Sequence, residues 1–179
     1  MEESRGREST DEVKQLISFT VASEEYGFEL FRVKEVIRMR QITWLPKAPA
    51  CVKGIINLRG DVVPIVDLRE RFGLAAREQT AMTRVIVVEM EGTLVGIVVD
   101  FVSQVVRIPA DQFEPPPAIM GAGARDLVNA VAKMSDRLII IIDVDRILSA
   151  DEMTQISNSL EVAQESLAEV GHEKEGAAL

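Results

Sequence analysis

The chain has 179 residues, 47% hydrophobic and 27% charged, with a net charge of −9, a composition that suits a globular protein with one sizeable core or two small ones. A single cysteine excludes an intramolecular disulfide, and a single histidine, His172 in a Glu- and Ala-rich tail, excludes a Cys/His metal cluster and argues against a Ser-His-Asp or Cys-His triad. No uncharged apolar run reaches about 18 residues and the first dozen residues are polar, so the expectation is a cytoplasmic protein with no direct membrane insertion.

Charge is unevenly spread. Residues 1–14 hold five acids and three bases, residues 150–179 hold seven acids and one base, and residues 32–71 hold nine bases against four acids. With one Trp, one Tyr and a sequence pI near 4.8, this positive stretch lacks the basic, aromatic-lined face that nucleic acid requires. An acidic protein partner suits it better.

In chain order, residues 1–13 are expected to be a disordered tail. A strand from Gln15, a turn at Ser23-Glu24-Glu25 and a second strand running into a third follow, carrying Phe28, Leu30, Val33, Glu35 and Val36. After a proline-containing loop, Ile55, Ile56 and Leu58 lead into Gly60-Asp61, and Val62, Val63, Ile65 and Val66 lead out: a β-hairpin whose glycine takes positive φ. Arg59 sits at its tip. Asp67 is placed to cap a short helical turn, Leu68–Phe72, that Gly73 ends.

The second half repeats the first. A shift of 69 lays residues 15–39 on 84–108 without a gap, matching Ile17 to Ile86, Gly27 to Gly96, Val33 to Val102 and Val36 to Val105. A shift of 76 lays 52–72 on 128–148, matching Asp67 to Asp143. Five short strands per half suit a small closed or nearly closed barrel, one over about residues 15–75 and one over 84–148. Barrels this small bury too little surface alone, so the two should pack together with a binding groove between them. Phe28, Leu30, Val33, Val36, Val99 and Val102 are the groove candidates, with core as the competing reading for at least half of them. Glu35 and Arg59 are the polar candidates, each of them otherwise an ordinary solvated residue.

The chain ends differently. Ser149-Ala150-Asp151-Glu152 has capping-box spacing, and Met153, Ile156, Leu160, Ala163, Leu167 and Val170 recur at helical spacing. One amphipathic helix is expected over 151–170, its stripe docked on the chain's own barrel rather than on a partner, with a disordered tail at 171–179. Asp67 and Asp143 invite a paired-carboxylate reading, but their equivalent places at strand ends favour capping.

Three segments, EEYGFELFRVKEVI, PACVKGIINLRGDVVPIVDLRERFGL and VGIVVDFVSQVVRI, together resemble the CheW family of chemotaxis coupling proteins over about residues 14–160. The resemblance implies two intertwined five-stranded SH3-like barrels (mainly β, with short helices) and a non-enzymatic adaptor without cofactors. It implies two partners, the cytoplasmic hairpin tip of a chemoreceptor and the regulatory domain of a CheA-type histidine kinase, and recruitment to membrane-bound receptor arrays. It also places Arg59, with Gly60, at a partner-binding face. Which of Glu35 and Arg59 meets which partner, and whether the molecules self-associate in rings, stay open. The competing reading is a small-ligand sensor or hydrolase using the inter-barrel groove.

Overall fold

The computed structural model describes residues 12–118 and 125–176, with the side chains of the last helix described to residue 165. Strands β1 (Val13–Val21) and β2 (Glu24–Glu29) form a hairpin, and a 3-10 turn at Leu30–Arg32 leads into β3 (Val33–Arg38). A second hairpin, β4 (Val52–Leu58) and β5 (Asp61–Asp67), ends in the single-turn helix α1 (Leu68–Arg71). The same order then recurs as β6 (Arg84–Met90), β7 (Thr93–Val99), β8 (Phe101–Pro109), the short β9 (Phe113–Glu114), β10 (Val128–Lys133) and β11 (Leu138–Ile142). Helix α2 (Ala150–Gly176) closes the chain.

Each sheet takes strands from both halves. One has the order β8-β1-β2-β11-β10-β9 and the other β3-β6-β7-β5-β4. The leading hairpin of each half therefore sits in a sheet with the trailing strands of the other half. Both exchanges are made by a parallel pairing in the same register: Gly27 lies opposite Ile141 and Gly96 opposite Ile65. These glycines give room at the junctions, since a Cβ on Gly96 would lie 2.6 Å from Ile65 Cδ1 and 2.7 Å from Val85 Cγ1. On Gly27 it would lie 3.2 Å from Ile139 Cγ2, a looser fit.

The long apolar runs have a simple cause: these strands are buried on both faces. Leu16 packs inside one sheet's own small cluster with Val106, Ile108, Ile139 and Ile141, while Ile17, Phe19 and Val21 turn to a larger core shared by the two sheets. The matching strand β6 divides the same way. Val85 and Val87 pack with Ile56, Leu58, Val63 and Ile65, and Ile86, Val88 and Met90 enter the shared core. Met153 and Ile156 of α2 join that core too. At about 1.5–3 kcal/mol per fully buried large side chain, the shared core is what joins the two sheets.

The fold is mainly β and SH3-like, but four details differ from the sequence-based expectation. Neither barrel closes by backbone pairing, because β8 and β9 bound one sheet and β3 and β4 the other; the β3–β4 gap is spanned by side chains, as described below. One sheet has six strands rather than five, because the chain after β8 returns to pair Glu114 with Val131. Thr43 makes the corresponding bridge to Ile55 in the other sheet. Residue 13 is already in β1, where the Ala110 N–H donates to Glu12 O at 2.8 Å and Val13 lies opposite Pro109. Helix α2 continues through Gly171 to Gly176, since one glycine in a helix costs only about 1 kcal/mol. The rest of the two expected tails, 1–11 and 177–179, lies outside the described residues.

Candidate functional site

The hairpin tip is a two-residue turn. Leu58 lies opposite Asp61, and Arg59 and Gly60 have φ of 51° and 91°, the pattern of a type I′ turn whose twist matches that of the strands. Asn57 Oδ1 accepts from the Gly60 N–H at 2.8 Å and fixes the turn. Gly60 suits its place. Arg59 does not, because a side chain at positive φ costs about 1 kcal/mol, so this residue is held where its backbone is unfavourable.

What Arg59 gains there is a partner on another edge. Its Nη2 donates to Glu35 Oε1, across the gap between β4–β5 and the opposite edge strand β3. Glu35 points inward with Val33 and Ile37, while Lys34, Val36 and Arg38 point out. The Glu35 side chain is 28% exposed and that of Arg59 is 70% exposed. An ion pair this open adds about 0–1 kcal/mol to stability. Chemically it does something else: it orients a guanidinium that retains free N–H groups for a carboxylate on a partner. Arg40 Nη1 adds a second bond over the same gap, to Asn57 O at 3.2 Å.

The six apolar candidates do not form one open surface. Phe28 and Val99 lie in the shared core, 0% and 1% exposed, and Leu30, Val33 and Val102 are partly buried against it. Only Val36 stands out, and its repeat counterpart Val105 stands out with it. Both lie on the free edge strands, β3 and β8, which are paired on one side only. Sequence reasoning passed over Val105, Phe31 and Trp44 as exposed apolar groups. For Val105 the signal was available, because the 69-residue shift pairs it with Val36.

Two ion pairs hold the crossovers between the sheets. Arg69 Nε and Nη2 bind Asp100 at 2.9 and 2.7 Å, and Asp100 also accepts from the Ala22 N–H at 2.8 Å. Asp100 is the residue between β7 and β8; burial pushes its carboxyl up, but the bonds from Arg69 and Ala22 outweigh this and hold it below the usual carboxylate range. At the other crossover, between β2 and β3, Arg32 binds Asp145 at 2.6 and 2.8 Å and Glu89 O at 3.1 Å. The hydrogen bond from Arg32 depresses the Asp145 carboxyl. Positions 69 and 145 correspond under the 76-residue shift, whereas Arg32 falls on Phe101, one residue past Asp100, under the 69-residue shift; the two clamps thus sit at equivalent crossovers with their charges exchanged but are not matched residue for residue.

Among the described residues, the two candidate carboxylates are not brought together. Asp67 accepts from the Arg69 N–H at 2.9 Å and Asp143 from the Asp145 N–H at 3.0 Å, so each caps the turn after its own sheet's strand. The Cys51 thiol donates to Glu152 Oε2 at 3.0 Å, and burial together with that carboxylate pushes its pKa up to about 12, the reverse of an activated nucleophile. Among the described residues no three His, Cys, Asp or Glu side chains are grouped to hold a metal ion, and no helix is long and apolar enough to cross a membrane.

Two SH3-like sheets that exchange hairpins, with an ion pair at a hairpin tip, define a small β scaffold. A family model described as the CheW-like domain matches residues 15–152, and the chain belongs to the CheW family. It is 34% identical over 145 residues to the chemotaxis protein CheW of Klebsiella aerogenes, covering 81% of this chain and 87% of that one. It is 30% identical over 118 residues to the protein FrzA of Myxococcus xanthus, covering 66% and 74%. Among solved structures, the scaffolding protein TtCheW of Thermoanaerobacter tengcongensis superposes with a TM-score of 0.72 at 36% identity, covering 79% of this chain and 96% of that one. Membership makes this chain a chemotaxis coupling protein of the scaffold kind.

Proposed function

We propose that this protein couples chemoreceptors to a CheA-type histidine kinase by holding a receptor's cytoplasmic hairpin tip and the kinase's regulatory domain at once, without catalysis of its own. The observation that carries the reading is the Glu35–Arg59 pair: an arginine kept at an unfavourable φ, aimed across a sheet gap, with donors left over for a partner's carboxylate. The exposed valines of the free edge strands, Val36 and Val105, supply apolar contact beside it. A scaffold that binds two partners raises their effective concentration for each other, which requires separate surfaces; the distinct edges of the two sheets support such a division. Recruitment to membrane-bound arrays then follows from binding the receptor. The test is capture of a receptor cytoplasmic fragment, with and without the kinase regulatory domain, by the parent protein and by Arg59→Glu. The parent should capture both together, and Arg59→Glu should lose at least tenfold in affinity for one of them. Unchanged affinity for both would remove Arg59 from the interface.

A further inference from the structure

Trp44, the chain's one tryptophan, is 75% exposed although its backbone is anchored on both sides. Thr43 exchanges two backbone hydrogen bonds with Ile55, at 2.8 and 2.7 Å, and Leu45 is buried at 3% exposure. The ring is thus presented by a fixed segment rather than a loose one. It faces helix α2 across a groove of about 530 Å³ lined by Leu45, Ile55, Ser159, Val162 and Ala163. Val162 is itself 61% exposed. Met153 and Ile156 fasten the start of the helix to the shared core, so this far wall is anchored as well.

We propose that this groove is a docking site for an amphipathic helix of a partner protein, laid alongside α2 with its apolar stripe between Trp44 and Val162. A small ligand buries about 70–90% of its surface in its site, and walls as open as these two residues cannot enclose one; a helix laid in a groove needs only one stripe covered. The charges around the groove say which helix fits. Lys47 lines the loop side, exposed and without an ion-pair partner among the described residues. On α2, Asp151 stands four residues before the lining residue Gln155 and Glu165 three after Val162, so both neighbour the groove on the helix surface; both are exposed and without such partners among the described residues. The occupant therefore carries acidic residues on the flank toward Lys47 and basic residues on the flank toward Asp151 and Glu165. This surface is distinct in its residues from the Glu35–Arg59 pair and its edge-strand valines.

Because Trp44 is the only tryptophan, its emission reports on the groove alone. The probe is a synthetic tryptophan-free helical peptide of about 20 residues, with a leucine stripe, glutamates on one flank and lysines on the other. It is titrated into the full chain beside a peptide of the same composition with scrambled order. A saturable blue shift of Trp44 emission with the designed peptide is expected. The affinity should fall at least tenfold in Val162→Asp, whose exposed position leaves the fold intact, and several-fold in Lys47→Glu. No shift, an equal shift with the scrambled peptide, or a shift indifferent to Val162→Asp overturns the proposal. So does emission that shifts with the protein's own concentration, which would make a second copy the occupant. A shift produced by an apolar dye such as anilinonaphthalene sulfonate but not by the peptide overturns it in favour of a small-ligand pocket.

Discussion

At the scale of single residues, function and stability pull in opposite directions at Arg59. Asparagine accepts the left-handed conformation of a type I′ turn far better than arginine does. Arg59→Asn is therefore expected to raise stability, by up to about 1 kcal/mol in urea denaturation, while weakening partner binding at least tenfold. A variant that is no more stable, or that binds both partners like the parent, contradicts that reading of the turn. The paired glycines give a graded test of packing. Gly96→Ala should cost about 1–3 kcal/mol, because its Cβ meets the fixed branch of Val85 at 2.7 Å. Gly27→Ala should cost less, since its nearest neighbours stand at 3.2 and 3.3 Å. Equal losses would mean that the two junctions are not packed as described. Cys51, with its pKa raised to about 12, should react with a disulfide reagent at pH 8 at least about a hundredfold more slowly than in unfolded protein.

At the scale of elements, the two charge-exchanged clamps differ in burial and so in value. The side chains of Arg69 and Asp100 are 13% and 22% exposed, whereas that of Asp145 is 58% exposed. Asp100→Ala leaves a nearly buried guanidinium and the Ala22 N–H without their acceptor and should cost about 2–3 kcal/mol; Asp145→Ala should cost under about 1 kcal/mol. The pH dependence has a definite sign. The folded-state pKa of Asp100 is lowered, so its contribution is present above the unfolded value of about 3.9 and is lost as pH falls through the lower folded value. Asp67, raised chiefly by burial, acts oppositely and favours the folded state as pH falls through its own pKa. Acid titration of stability below about pH 4 should therefore be shallower in Asp100→Asn than in the parent. An unchanged acid limb would show that Asp100 titrates normally.

Much of this architecture is legible in the sequence, and the rest fails for identifiable reasons. The hairpins are visible because glycine and β-branched residues mark turns and strands locally, and the repeat is visible because two gapless shifts align them. The clamps are not, because Arg69 and Asp100 are 31 residues apart and Arg32 and Asp145 are 113 apart, and nothing local distinguishes a paired arginine from a solvated one. Phe28 and Val99 read as groove residues in the sequence because strands buried on both faces lose the apolar–polar alternation that tells inside from outside. Glu35 and Arg59 could be singled out separately, yet their contact depends on how two sheet edges approach, which no periodicity encodes.

For the molecule as a whole, the exchange of hairpins makes the two sheets one mechanical unit. Neither half can unfold without removing two strands from the other's sheet, and the shared core supplies most of the large buried side chains. A single cooperative unfolding transition is therefore expected by calorimetry, with calorimetric and van't Hoff enthalpies in agreement; two resolved transitions would contradict it. Such rigidity suits a scaffold, because two docked partners keep a fixed relation to each other only if the body between them does not flex. The most direct test of the account is sedimentation velocity of the parent protein mixed with a receptor cytoplasmic fragment and a kinase regulatory domain. The account predicts one ternary species containing all three, replaced in Arg59→Glu by a binary complex and a free partner; two partners that displace each other from the parent protein, never sedimenting together with it, would contradict it.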